Sequence, residues 1–173
     1  MGRVWTTMPS PVGQLRIVAS DGAIRSVHFD DEAPGDDVAA RYLERAESAE
    51  AGERADADPL LQDAVAQLTA YFDRQRQDFD LPLGAVGTPF QHDVWSQLLT
   101  IPYGETTTYG ELAARLGKTG HAARAVGLAN GRNPIAIVVP CHRVVGAGGK
   151  LIGYGGGLDR KQRLLALEQA SLF

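Results

Sequence analysis

A chain of 173 residues, 44% hydrophobic and 22% charged, suffices for one domain or two small ones, and its make-up is globular rather than disordered. It holds no apolar run near the roughly 20 residues that span a bilayer, and no apolar leader, so no membrane partner and a cytoplasmic location are expected. One cysteine and four histidines exclude an internal disulfide and leave no thiol-based zinc cluster.

The formal net charge of −4 hides a split. Residues 1–87 carry 8 basic against 16 acidic side chains, whereas residues 88–173 carry 9 against 5. Such asymmetry points to a nucleic-acid face on the basic half, with two ordinary solvated surfaces as the alternative.

The first thirty residues read as strands. "WTTMPSPVGQLRIVAS" and "AIRSVHF" flank Asp21-Gly22, which predicts a hairpin. Residues 31–58, rich in Ala, Glu, Asp and Gly, have apolar content only around Val38, Tyr42 and Leu43; they predict a short helix and then a mobile acidic linker. Asp58 before Pro59 predicts a helix start, and Leu60, Leu61, Ala64, Val65, Leu68, Tyr71 and Phe72 then recur at helical spacing. "DFDLPLGAVGTPF" (78–90) breaks that pattern and predicts a domain boundary.

Thr88-Pro89-Phe90-Gln91 is a capping box opening a helix with Phe90, Val94, Trp95, Leu98 and Leu99 on one face. Thr108-Tyr109-Gly110-Glu111 repeats that pattern, and Leu112, Ala113 and Leu116 give a short helix stopped by Gly117. A second short helix runs through "AARAVGLAN" to Gly131, so the pair predicts a helix-turn-helix. "IAIVV" (135–139) predicts a buried strand leading to Pro140-Cys141-His142. "GAGGKLIGYGGG" is a loop able to approach a ligand closely, without the order of a dinucleotide fingerprint or a P-loop. In the last helix, "LDRKQRLLALEQA", Leu164, Leu165 and Leu172 face inward, and Glu168 lies on that face or at its rim.

A lone cysteine among valines is either a small buried hydrophobe or a nucleophile. As a nucleophile Cys141 needs a base to take its proton, and His142 adjoins it once a turn after Pro140 brings both side chains to one site. An imidazole in turn needs a group to fix its tautomer, and Glu168 suits that place best among the few acids of the basic half. A Cys-His-Glu triad is open at this point, and so is an unrelated set of a packing cysteine, a surface histidine and a helix-end glutamate.

"PCHRVV", "IPYGETTTYGELA", "AARAVGLANGRNP" and "GYGGGLDRKQRLLALE" closely resemble the O6-alkylguanine-DNA alkyltransferases, also called methylated-DNA–protein-cysteine methyltransferases. The resemblance covers residues 88–173 and is loose over residues 1–87. It implies an α/β (α+β) fold: a ribonuclease-H-like structural domain over 1–87, a sheet with a helix, then a mainly helical domain over 88–173. The second domain would carry DNA binding, the alkyl acceptor and a winged-helix-like helix-turn-helix. It also implies a monomer that flips alkylated guanine out of double-stranded DNA and moves the O6 alkyl group irreversibly to its own cysteine, with O4-alkylthymine a second substrate.

By motif, Cys141 resembles the acceptor, His142 the residue that takes its proton through a water, Glu168 the acid orienting the histidine, and Asn133 the brace of the cysteine loop. Arg124 matches the arginine that fills the gap in the base stack, and Tyr109 the tyrosine that helps rotate the nucleotide. Ala122, Ala123 and Gly127 fall on the DNA face, where sequence-tolerant binding in the minor groove is implied. Tyr154, Gly155, Val144 and Pro140 fall around the alkylguanine pocket. Some family members hold zinc in the N-terminal domain; this chain has only His28 there and no cysteine, so neither a metal nor any other cofactor is expected. The rival readings are a cysteine hydrolase using the same triad, a sensor of alkylguanine that repairs nothing, and a plain helix-turn-helix module.

Overall fold

The computed structural model describes residues 2–30 and 52–170. The chain divides into two compact units, Met1–Val86 and Gly87–Phe173. In the first, strands β1 (Val4–Met8), β2 (Leu15–Ser20), β3 (Ala23–Phe29) and β4 (Glu53–Arg54) form a sheet in the order β3-β2-β1-β4. β2 and β3 are joined by Asp21 (φ 51°) and Gly22 (φ 74°), the pair of left-handed residues that a two-residue hairpin turn of matching twist requires. The hairpin therefore falls where Asp-Gly places it.

The expected short helix and acidic linker fall mostly on residues 31–51, outside the described ones. Their described end is not a linker. Glu53 and Arg54 pair in parallel with β1, and Ala55 N–H continues the ladder to the Trp5 carbonyl at 2.9 Å. Helix α1 (Pro59–Phe72) starts at Asp58, whose side chain accepts from the N–H groups of Leu60 and Leu61. It buries Leu61, Ala64, Leu68 and Tyr71 against the sheet. Each large apolar side chain so buried contributes about 1.5–3 kcal/mol. Gln67, also buried, satisfies both ends of its amide on the backbone of Asp80 (2.8 and 2.9 Å), which brings the return segment alongside.

In the second unit, α2 (Pro89–Leu98) is held by the Thr88–Gln91 capping box and buries Val94, Trp95 and Leu98. Leu99, expected on that face, is 54% exposed, because the helix ends at Leu98 and the chain turns so that Ile101 fills the core instead. A two-residue strand, β5 (Thr107–Thr108), leads into α3 (Tyr109–Arg115), capped by Thr108 and Glu111. α3 ends with Gly117 N–H on the Ala114 carbonyl and Lys118 N–H on the Ala113 carbonyl, a paired closure that puts Gly117 at φ 68°. α4 (His121–Gly131) follows and packs on α2 and α3. The Trp95 indole N–H ties α2 to α4 through the Ala129 carbonyl at 2.9 Å.

The strand expected over 135–139 is absent. Residues 135–139 are buried, but they form a wound loop with Ile137 at φ 72° and Val139 N–H on the Ile135 carbonyl. Among the described residues of this run only Ile135 makes a bridge, an isolated one, and 136–138 are turn. β5 pairs instead with β6 (Val144–Val145), in parallel. Helix α5 (Leu158–Ala170) closes the unit, burying Lys161, Leu164, Leu165 and Glu168 on one face. Leu172, expected inward as well, lies outside the described residues.

Candidate active site

Cys141 opens a single 3-10 turn, Cys141–Arg143, between the wound loop and β6. The loop is shaped by Asn133. Its Nδ2 donates to the carbonyls of Ile135 (3.3 Å) and Val139 (2.8 Å), and its Oδ1 accepts from Ile135 N–H (3.0 Å). Asn133 also bonds the Cys141 side chain. Burial pushes the Cys141 thiol up from its ordinary pKa, and neither Asn133 nor the charge of Lys161 offsets that. The resting group is a protonated thiol, and attack requires a base.

His142 is fully buried, with Nε2 2.8 Å from Glu168 Oε2. Glu168 comes from α5, seven residues and two turns beyond Lys161, which carries both ionic side chains into the interior on the same face. Burial alone would raise the Glu168 carboxyl. Hydrogen bonds and charge from His142 and Arg143 outweigh it and bring the pKa down to about 2. An ionised carboxylate can only accept, so the proton between the two groups sits on His142 Nε2, leaving Nδ1 with the lone pair. That Nδ1 is buried and has no hydrogen-bond partner among the described residues. Burial also holds the imidazole below its ordinary pKa, in the neutral form. The arrangement is a base whose far side is fixed and whose near side is free.

Three residues at this site were missed by reading the sequence. Arg143 donates from Nε and Nη2 to Glu168 (2.8 and 3.0 Å) and from Nη1 to the Ile101 carbonyl (2.7 Å). Lys161, also fully buried, donates to the carbonyls of Ile152 and Gly153, both at 3.1 Å, and burial lowers its pKa to about 8 against the pull of Cys141. Asn130, buried on α4, bonds Tyr109. Arginine and lysine are almost never fully buried unless paired, so their default reading is the surface. The i, i+3, i+4, i+7 pattern of Lys161, Leu164, Leu165 and Glu168 was the signal available.

Tyr109, first residue of α3, lies beside the thiol because β5 pairs with β6 just after the cysteine turn. Its hydroxyl donates to the Ile152 carbonyl at 3.2 Å, so Tyr109 and Lys161 pin the same stretch of glycine-rich loop. Burial and the charge of Cys141 raise the tyrosine pKa. A side-chain carbon at Gly127 would meet the Tyr109 ring at 3.8 Å, so this face of α4 backs the tyrosine. Val144 and Pro140 are buried beside the cysteine turn, and Tyr154 and Gly155 are half-buried in the loop. Ala122 and Ala123 are half-buried on the first turn of α4. Arg124 is exposed, with no hydrogen bond or ion pair to another described residue. It stands apart from the buried set. Among the described residues no three His, Cys, Asp or Glu side chains are grouped to hold a metal ion, and no helix is long and apolar enough to cross a membrane.

Fold and site together define a two-part α/β protein that places a buried thiol–imidazole–carboxylate set next to a helix-turn-helix. Residues 3–85 match the ribonuclease-like domain of 6-O-methylguanine DNA methyltransferase, and residues 89–170 match its DNA binding domain. The methylated-DNA–protein-cysteine methyltransferase of Mycolicibacterium paratuberculosis is 67% identical over 106 residues, a match spanning 61% of this chain and 64% of that relative's length. The protein of the same name from Methanosarcina acetivorans is 45% identical over 159 residues, 92% of this chain and 94% of its own. The crystal structure of Mycobacterium tuberculosis OGT in complex with DNA superposes with a TM-score of 0.80 at 46% identity, covering 97% of this chain and 94% of that one. The chain belongs to the 6-O-methylguanine DNA methyltransferase family. That assignment gives the cysteine-hydrolase reading no support.

Proposed function

We propose that this chain repairs DNA directly, moving the alkyl group of O6-alkylguanine onto Cys141 once per molecule. The observation that carries the reading is the free Nδ1 of a neutral His142, whose Nε2 is held by ionised Glu168 next to a protonated thiol. As Cys141 attacks, its proton passes to His142 Nδ1, directly or through a water, and the imidazolium so formed rests against Glu168. The S–C bond forms as the C–O6 bond breaks, and the electron pair stays with the base. The base takes up one proton, balancing the one that the thiol gave to His142, and remains in the strand as ordinary guanine. A thioether has no leaving group that water can displace easily, so the protein is spent.

Asn133 braces the acceptor loop in this reading. Tyr109, Pro140, Val144, Tyr154 and Gly155 surround the base. Arg124, with Ala122, Ala123 and Gly127, faces the minor groove and occupies the gap left in the stack. Flipping costs a few kcal/mol, which a snug pocket and an inserted side chain offset. The protein works as a monomer on double-stranded DNA in the cytoplasm, needs no cofactor, and takes O4-alkylthymine as a second substrate.

Intact-mass measurement after mixing with a duplex containing O6-methylguanine tests the proposal. The expected result is one added methyl group on the peptide holding Cys141, with none on Cys141→Ser despite unchanged duplex affinity. Methyl transfer by Cys141→Ser at the wild-type rate would remove Cys141 from the mechanism.

A further inference from the structure

We infer that Arg143 is a positioning residue of the relay: it fixes Glu168 and, by sharing that carboxylate, adds to the burial that leaves His142 Nδ1 a free base. The catalytic meaning of this role rests on the proposed function, but its geometry is independent of it. The guanidinium is anchored on two sides. Nε and Nη2 grip Glu168, Nη1 reaches across to the Ile101 carbonyl, and the group lies 5.7 Å from the Tyr103 ring centre. Such a fork fixes a carboxylate in position and angle, which the single point charge of a lysine does not.

The charges facing His142 are Glu168 and Lys161 from α5 and Arg143 from its own turn, with the Cys141 thiol adjacent in the chain. One carboxylate thus stands against two cations. Without Arg143 the carboxylate acts on His142 alone and draws a proton onto it. Imidazolium cannot accept the cysteine proton. Arg143 therefore helps burial to set the lower pH limit of the reaction, and it fixes the aim of Glu168.

The test uses the full chain and two substitutions. Nitrogen NMR of labelled histidine follows His142 between pH 5 and 8, and intact mass follows the rate of methyl transfer at pH 6 and pH 8. In Arg143→Gln the titration of His142 should rise by about one to three units, the usual effect of an unbalanced neighbouring carboxylate. Transfer should then fall more at pH 6 than at pH 8. Arg143→Lys keeps the charge and loses the fork, so it should leave the titration in place and slow transfer about equally at both values. An unmoved titration in folded Arg143→Gln overturns the inference, as does an Arg143→Lys protein that titrates like Arg143→Gln. Where Arg143→Gln does not fold, the lysine variant decides alone: a His142 titration displaced by half a unit or more overturns it. Failure of the wild-type chain to take up methyl would sink the proposed function, while the His142 titrations would still decide the role of Arg143.

Discussion

At the scale of single residues, the proposed chemistry depends on which nitrogen of His142 carries the proton, and Glu168 decides it. The bond from Nε2 to Oε2 is 2.8 Å, and the carboxylate stays ionised far below neutral pH. Glu168→Gln removes the charge that stabilises the imidazolium and lets the tautomer reverse, while His142→Ala removes the base. Loss of general-base catalysis costs about 10²–10⁴-fold, so each variant should slow transfer by at least the lower of these. Because the two side chains act as one device, the double variant should be little slower than His142→Ala alone. Rates measured by intact mass for all four proteins check this; losses that multiply would mean that the pair does not act as a unit. Cysteine, histidine and glutamate were legible in the sequence because their chemistry is specific and the helical period puts Glu168 on the buried face. Arg143 was not, although it stands in the same "PCHRVV". Nothing in a sequence says that a charged side chain has a buried partner 25 residues away.

Secondary structure was most legible where the signal is local. Asp21-Gly22, the two capping boxes and Gly117 each specify a backbone conformation within four residues, and each element begins or ends where those residues place it. The wound loop over 135–139 was not legible. Five apolar residues in a row have strand-like composition, but strand formation needs a neighbour with free N–H and C=O groups. Here Asn133 supplies those bonds from a side chain instead. Helix α4 sits between these cases: its ends were readable from local residues, whereas its use was implied only by the family resemblance. Its outward side carries Arg124 among alanines and a glycine, so the backbone can come close to another surface with one long side chain ahead of it. If Arg124 occupies the gap in the stack, Arg124→Ala should lose repair of duplex DNA by about 10- to 100-fold, a few kcal/mol of uncompensated flipping. Reaction with free O6-benzylguanine, which needs no flipping, should be unchanged. Intact-mass rates on the two substrates separate the outcomes, and equal losses would end the intercalation role. An exposed, unpaired side chain on a helix surface leaves the fold intact, so the comparison is clean.

At the scale of the whole molecule, the charge split was legible and its size was not. The basic half has nine Lys and Arg, but Arg143 and Lys161 are buried and committed to Glu168 and to the glycine-rich loop. Of the rest, Arg163 pairs with Asp159 at 3.2 Å. Arg115, Lys118, Arg124, Arg132 and Lys150 are not buried and have no ion pair to another described residue. A DNA face built from such a set neutralises about three or four phosphates, and each contributes about −0.9 to the slope of log affinity against log salt concentration. The expected slope is about −3, shallower than nine cations would give. Fluorescence anisotropy with a short undamaged duplex across a salt series measures it. Arg132→Glu and Lys150→Glu should each flatten the slope by about one, because a phosphate contact is lost. Arg3→Glu, an exposed charge on the acidic half, makes the same change in net charge and should leave the slope alone. If Arg3→Glu flattens it as much as the others, binding responds to net charge, and residues 88–173 would have no special claim to the DNA.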